Sequence, residues 1–165
     1  MQKITFATNT GPGTLEYTKL LLESLKNNLV NKEHEIIVFI DKDNDGTYEY
    51  LKSIKKDFYD LKIVTHKLKI PLGYQLNSNL IVDIAKHDII SYLQSDMVIS
   101  KNYDLEILSE LEENTILSST RIEPPLHGES NMTFTKDFGL HPEDFKWQEF
   151  LFYAETAKSD RTEKY

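Results

Sequence analysis

The chain has 165 residues, 39% of them hydrophobic and 28% charged, which suits one globular domain with a sizeable core rather than a disordered chain. It has no cysteine, which excludes disulfides, thiolate metal ligands and a cysteine nucleophile, and fits a cytoplasmic, reducing location. The formal net charge of -8 disfavours nucleic-acid binding, and no apolar run is long enough to span a bilayer.

Strands and helices alternate along most of the chain. The hydrophobic pattern predicts strands at residues 4–8, 35–41, 61–66, 87–93 and 115–120. It predicts helices that begin near Thr14, at Thr47, just after Gly73 and at Asp104. This alternation is typical of an α/β sandwich with a mainly parallel sheet, in which ligands bind beyond the carboxyl ends of the strands.

The regular pattern ends near Glu123. We therefore expect an α/β domain over residues 1–122 and an irregular extension over residues 123–165. The extension is rich in proline and aromatic residues, and we expect it to wrap over the sheet or to pack on a partner. Its two histidines, His127 and His141, are the better ligand candidates among five, but none of the five is spaced like a paired metal site.

The most informative stretch is SYLQSDMVI, residues 91–99, where an apolar strand runs into Asp96. A carboxylate at the end of a buried strand is costly unless something pairs with it. A divalent cation bound to a diphosphate is one such partner. A loop aspartate that caps a turn is the alternative.

The segment DKDNDG, residues 41–46, follows the second predicted strand. It matches the opening of an EF-hand loop, but the twelfth position is Lys52 and a strand precedes it. A looser calcium site and a polar turn that caps the next helix through Asp45 or Thr47 are the alternatives. Asp41 has a separate candidate role, since an aspartate in this place can accept hydrogen bonds from a nucleobase or ribose.

Two further segments lie at the same edge of the predicted sheet. Residues 8–13 hold a GxG but neither GxGxxG nor GK[ST], so they favour a simple turn at least as strongly as a nucleotide loop. Gly73 permits close approach of a ligand, and the helix after it has an N-terminus that favours phosphate. Asn77 and Asn79 are unusual on that apolar helix and could instead bond a neighbouring loop.

Taken together, these residues resemble the nucleotide-binding half of a GT-A glycosyltransferase of family 2, over residues 4–125. The landmarks occur in the family's order: Thr8 and Asn9 after strand one, Asp41 after strand two, Gly73 with Asn77, Ser78 and Asn79, and Gln94–Asp96 in place of the DxD motif.

The resemblance implies a Rossmann-like α/β/α sandwich and a metal-dependent, inverting transfer of sugar from a nucleotide sugar, with UDP as the expected nucleotide. It implies nucleotide binding by Thr8, Asn9, Asp41, Gly73, Asn79 and Ser95. Asp96 would hold Mn²⁺ or Mg²⁺. The acceptor, whether glycan, lipid or protein, is not identified.

The sequence departs from the family pattern in three ways. Gln94 replaces the first DxD aspartate, and Ser78 stands where an arginine often contacts phosphate. After Pro125 we find no acceptor-binding half, and no general base is assigned. We therefore expect a truncated chain, or one completed by a second copy or a partner. A catalytically idle nucleotide-sugar-binding module and a calcium-binding α/β domain are the alternative functions.

Overall fold

A computed structural model describes residues 2–126 and 133–157. The chain forms two compact units, residues 1–99 and 100–165. The first unit contains β1 (Ile4–Thr10), α1 (Leu15–Asn28), β2 (Glu35–Ile40), α2 (Thr47–Ile54), β3 (Asp60–Thr65), α3 (Tyr74–Ile84) and β4 (Ile89–Gln94). The second contains α4 (Tyr103–Glu110), β5 (Arg121–Glu123), β6 (Thr133–Thr135) and α5 (Trp147–Ala157). The predicted boundary at residue 122 stays a prediction.

The first unit is built on a four-stranded sheet in the order β3-β2-β1-β4. All three strand pairs are parallel, with Ala7 opposite Ile37 on one side and opposite Tyr92 on the other. The predicted α/β fold with a mainly parallel sheet is therefore confirmed. Because parallel strands end at one edge, the loops after β1, β2, β3 and β4 open at the same edge of the sheet.

The two faces of the sheet carry different helices. On one face, Ala7, Ile37 and Phe39 pack with Ile81 of α3 into a buried apolar cluster. The alternate residues of β1 lie on the other face, where the hydroxyl of Thr18 in α1 bonds that of Thr10 at 3.2 Å. Since side chains alternate along a strand, residues 7, 9, 37, 39 and 41 share the α3 face.

A buried carboxylate fastens the amino-terminal edge of the α3 face. Glu35 is fully buried, and its Oε2 accepts the Thr5 hydroxyl at 2.6 Å and the Lys86 amide at 2.8 Å, while Oε1 pairs with Lys62. Burial raises the pKa of Glu35, but the hydrogen bonds from Lys62, Thr5 and Lys86 outweigh it and the net pKa is lowered. Glu35 thus links β1, β2, β3 and the turn before β4.

The second unit has a small aromatic core of its own. The rings of Phe138 and Phe150, both buried, meet edge to face at 5.7 Å, and Tyr153 lies 5.6 Å from Phe138. Part of the aromatic extension is therefore packed on itself. His127 lies outside the described residues, and His141 is exposed.

The predicted strand at residues 115–120 is wrong. That segment has no regular secondary structure, and Ile116 in it is 99% exposed. The strand comes after it, at Arg121–Glu123, where the backbone pairs with Thr133–Thr135. A β-rich composition does not make a strand without a partner for its backbone groups, and residues 115–120 have no ladder partner in the described chain. No helix in the described ranges is long and apolar enough to cross a membrane.

We expect Glu35→Gln to lower the free energy of unfolding at pH 7 by about 2–3 kcal/mol, because Lys62 and the Lys86 amide lose a charged partner. Since the folded-state pKa of Glu35 is lowered, its contribution is present above the unfolded pKa and is lost as the pH falls through the folded pKa. Urea unfolding across pH 3–7 measures this, roughly spanning the unfolded carboxyl pKa.

The control for this variant is Glu33→Gln, which removes an exposed partner of Lys3 and should leave stability nearly unchanged. If wild type and Glu35→Gln lose stability in parallel on acidification, Glu35 is not the titrating group.

Candidate functional site

The carboxyl edge of the first unit gathers polar side chains on the α3 face of the sheet. Asn9 and Asp41 share that face by strand alternation, and His66 directly follows β3. α3 begins beside them, since the Asn9 amide Nδ2 donates to the carbonyl of Tyr74 at 3.4 Å. The structure thus brings together Asn9, Asp41 and Gly73, three of the predicted nucleotide-binding residues.

Asp41 holds the loop between β3 and α3. Its Oδ1 accepts the Leu72 amide at 2.7 Å and contacts His66 Nε2 at 2.9 Å, and its Oδ2 accepts the Gly73 amide at 3.0 Å. Asp41 also donates its own amide to the Thr10 carbonyl at 2.9 Å, which ties the turn after β2 to β1. The Asp41 carboxylate therefore accepts hydrogen bonds from its own chain, in addition to any that a ligand would donate.

The hydrogen bonds also determine the ionisation of Asp41. Burial raises the pKa of this carboxyl, whereas the Leu72 and Gly73 amides, His66 and the Asn77 side chain lower it, and the net pKa is below the ordinary value. Asp41 is therefore ionised at neutral pH and acts as an acceptor only.

The tautomer of His66 follows from its two contacts. The Leu68 amide donates to His66 Nδ1 at 3.2 Å, so that nitrogen carries no proton. Nε2 therefore carries the proton of the neutral ring and donates it to Asp41 Oδ1. The ring is also stacked on Phe39, with centroids 6.1 Å apart and an interplanar angle of 27°.

Three buried polar atoms near the start of α3 have no hydrogen-bond partner among the described residues: Asn9 Oδ1, Asn77 Oδ1 and Tyr92 Oη. The side chain of Asn77 is 1% exposed and lies beside the Asp41 carboxylate. Burial raises the pKa of the Tyr92 hydroxyl to about 12, so it stays protonated and keeps a donor. Buried polar groups without partners are rare, so these atoms are candidate contacts for a ligand.

Gly73 needs to be glycine because of its backbone. Its φ is +81°, a region that other residues adopt at a cost, whereas a Cβ there would meet nothing within 4 Å. This conformation directs the Gly73 amide to Asp41 and starts α3 at Tyr74. Asn79, by contrast, is an exposed residue within α3. Its nucleotide contact stays a prediction.

Thr8 lies on the opposite face of the sheet from Asn9 and Asp41. It is 2% exposed, and its hydroxyl makes only a 3.5 Å contact with the Asn9 carbonyl. A ligand contact by Thr8 would therefore come through its main chain, and its predicted role also remains a prediction.

Ser95 and Asp96 lie in a turn directly after β4. The turn is closed by the Met97 amide, which donates to the Gln94 carbonyl at 3.1 Å. The Asp96 side chain is exposed, and no group of three or more metal-ligating carboxylates or histidines occurs in the described residues. A single exposed carboxylate fits Mg²⁺ or Mn²⁺ that keeps several waters and takes its other ligands from substrate phosphates. It does not fit a cage made by the protein alone.

The model of the family "Glycosyl transferase family 2" matches residues 12–163. The chain belongs to this family. No curated protein matches the chain.

Solved structures of similar fold include glycosyltransferases from two organisms. Staphylococcus aureus TarS matches with a TM-score of 0.58 and 22% identity, over 66% of this chain and 19% of TarS. TarS 1–349 in complex with UDP-GlcNAc matches with a TM-score of 0.57 and 18% identity, over 72% of this chain and 38% of that one. The mannosyltransferase PcManGT from Pyrobaculum calidifontis, in complex with GDP-Man and Mn²⁺, matches with a TM-score of 0.54 and 16% identity, over 62% of this chain and 30% of PcManGT.

These matches show the GT-A, Rossmann-like fold of this family 2 chain. They also show its extent, since the chain spans about a fifth to two fifths of the length of the structures it matches.

His66 and Tyr92 are site residues that the sequence reasoning missed. No sequence motif singles out His66 among the five histidines or Tyr92 within its strand. The available signal was parity, because a residue just past β3 on the same face as Asp41 must approach the carboxylate.

In the segment DKDNDG, residues 41–46, Asp45 accepts backbone amides at the starts of both α1 and α2. Asp45 Oδ1 accepts the Thr47 amide and hydroxyl at 3.2 and 2.6 Å, and its Oδ2 accepts the Leu15 amide at 3.1 Å. Asp43 accepts the Gly46 and Tyr48 amides, each at 3.1 Å. The polar-turn alternative is therefore confirmed, although the N-cap of α2 is Gly46 rather than Asp45 or Thr47, and these carboxylates accept backbone amides of their own chain.

We expect Asp45→Ala to lower the free energy of unfolding by about 1–2 kcal/mol, because amides at the starts of α1 and α2 lose their acceptor. We expect millimolar Ca²⁺ to leave the urea midpoint of the wild type unchanged. Lys42→Ala, in the same exposed turn, is the matched control and should have little effect. A calcium-dependent rise in the midpoint that Asp45→Ala abolishes would restore the calcium-site interpretation.

Proposed function

We propose that this chain binds a nucleoside diphosphate sugar at the carboxyl edge of its sheet and serves as the donor-binding part of a metal-dependent, inverting glycosyltransferase. The observation that carries the proposal is the placement of Asp41 and Asp96 after β2 and β4, which flank β1 in a family 2 chain. TarS has been solved with UDP and with UDP-GlcNAc, which supports UDP as the nucleotide.

In this proposal, each residue contributes through the atoms it leaves free. Asp41 accepts an N–H of the base, and Asn9 and Gly73 line the nucleoside where β1 ends and α3 begins. The amides in the first turn of α3 that have no partner within the helix would donate hydrogen bonds to a phosphate, because a helix N-terminus favours negative charge. Ser95 and Asn79 are the remaining predicted contacts.

Asp96 would hold Mn²⁺ or Mg²⁺ together with the diphosphate. PcManGT, solved with GDP-Man and Mn²⁺, supports a divalent metal in this fold. When bound, the metal supplies positive charge that stabilises the departing nucleoside diphosphate. Inversion also needs a base that deprotonates the acceptor hydroxyl, and we assign none in this chain.

A catalytically idle donor-binding module is the second candidate. The observation that favours it is the departure from the family pattern at Gln94 and Ser78, which removes one candidate metal carboxylate and one phosphate contact. A cytoplasmic location stays a prediction.

The first test is a thermal-shift panel of nucleoside diphosphates and nucleotide sugars with and without Mn²⁺. A ligand at 100 times its Kd stabilises the native state by about 2.7 kcal/mol, enough to raise Tm by several degrees. We expect UDP to give a metal-dependent rise, and Asp96→Ala to abolish the metal-dependent part. Asp88→Ala, exposed just before β4, is the control. An unchanged shift in Asp96→Ala would reject Asp96 as the metal ligand.

A second test separates enzyme from idle module. The purified chain is incubated with UDP-sugars and Mn²⁺, and free sugar and UDP are measured over hours. Slow donor hydrolysis that is lost in Asp96→Ala is the expected result for a catalytic chain. Donor binding in the thermal-shift panel without any hydrolysis would instead favour the idle module.

A further inference from the structure

We propose that His66 determines which nucleobase Asp41 accepts, because its Nε2–H group occupies one of the two acceptor positions of Asp41 Oδ1. This inference rests on the proposed function, since it assigns a specificity role within the donor site. Its basis is the count of hydrogen-bond donors around one carboxylate.

The count begins with Oδ1. A carboxylate offers about four acceptor positions, two on each oxygen. Oδ1 takes the Leu72 amide at 2.7 Å and His66 Nε2–H at 2.9 Å, so both of its positions are used. The Leu68 amide donates to Nδ1, which assigns the proton of His66 to Nε2 and makes His66 the donor in this contact.

Oδ2 has one hydrogen bond, from the Gly73 amide at 3.0 Å. The Asn77 side chain lies beside the carboxylate and lowers its pKa, and Asn77 Oδ1 has no partner of its own in the described chain. The one remaining acceptor position is on Oδ2, where an N–H group of a ligand would take the place of the contact with the Asn77 side chain. Asp41 can accept one N–H from a base but not two.

Bases differ in how many donors they present to a carboxylate. An imide base such as uracil presents a single N–H between two carbonyl groups, which one acceptor position satisfies. Guanine presents N1–H and an amino N–H side by side, and a carboxylate binds this pair only when each oxygen has a free position. With Oδ1 filled, one guanine donor would be left unpaired in a partly closed site, which costs about tenfold to a hundredfold in affinity.

His66 is the variable part of this arrangement. The Leu72 and Gly73 donors are backbone amides and do not change with side-chain substitution. His66 is held by its stacking on Phe39 and by the Leu68 amide, and its side chain is only 12% exposed, as is that of Asp41. Replacing the ring by one without a donor would free a position on Oδ1 while the packing is kept.

The experiment measures the Kd of UDP and GDP by isothermal titration calorimetry in the presence of Mn²⁺ for four forms of the full chain. They are wild type, His66→Phe, which keeps the ring but removes the donor, His66→Gln, which keeps an N–H donor, and His87→Phe. The last makes the same chemical change just before β4, at the other end of the sheet, and serves as the matched control.

We expect wild type to bind UDP more tightly than GDP by about tenfold or more, and His66→Phe to lower that ratio by at least about tenfold. His66→Gln and His87→Phe should keep the ratio of the wild type. An unchanged ratio in His66→Phe, with UDP still bound, overturns the role of His66 and leaves the proposed function intact. Binding of neither nucleotide to wild type overturns both.

A second measurement needs no variant. The ¹⁵N shifts of the imidazole in the wild-type chain report the tautomer of His66 directly, and we expect a neutral ring protonated at Nε2. A ring protonated at Nδ1 would overturn the proposal whatever the nucleotide affinities, because Nε2 would then have no proton to donate to Asp41.

Discussion

The carboxylate of Asp41 is the interaction on which the candidate site depends. It stands at the end of β2, where it would be costly if left without partners. The chain supplies them from the loop between β3 and α3: the amides of Leu72 and Gly73, and His66. The position of the loop, the tautomer of His66 and the starting point of α3 all follow from the need to satisfy this one group.

A second carboxylate, that of Glu35, lies at the other end of β2 and also accepts hydrogen bonds from neighbouring segments of the chain. Glu35 and Asp41 are six residues apart on one face of the sheet, with Ile37 and Phe39 of the apolar cluster between them. Glu35 is fully buried and has a lysine as partner. Asp41 is slightly exposed, and its partners are neutral donors, so it keeps its negative charge without a cation. The first arrangement suits stability, and the second leaves an anionic acceptor that a ligand can use.

The sequence was sufficient for the elements of the first unit because their signals are local. The four strands around Phe6, Ile37, Ile63 and Leu93 and the helices between them occur within a few residues of their predicted places. The strand at 115–120 failed because pairing is a non-local property. Its composition suits a strand, but the pairing was formed by residues 121–123.

The site was predicted to a different degree. Asp41, Gly73 and Asp96 were chosen as residues at strand and helix ends, and topology alone brings such ends to one edge. Strand alternation places His66 on the same face as Asp41, but the hydrogen bond between them also depends on the path of the loop at residues 66–73, which no local signal predicts. The face to which Thr8 points, by contrast, follows from strand alternation alone and is opposite to that of Asn9.

The two aspartates at the carboxyl edge differ in what surrounds them, and in the proposed function this difference gives them separate roles. Asp41 accepts three hydrogen bonds from its own chain, so it can orient and select a ligand through a hydrogen bond but is poorly suited to bind a cation. Asp96 is exposed in a turn after β4, and the neighbouring position Gln94 is neutral. A cation there would meet one carboxylate and would need the phosphates of the substrate to complete its ligands. In the proposed function, the metal and the nucleotide therefore bind this edge together, because the cation needs the phosphates as ligands and the diphosphate needs the positive charge of the cation.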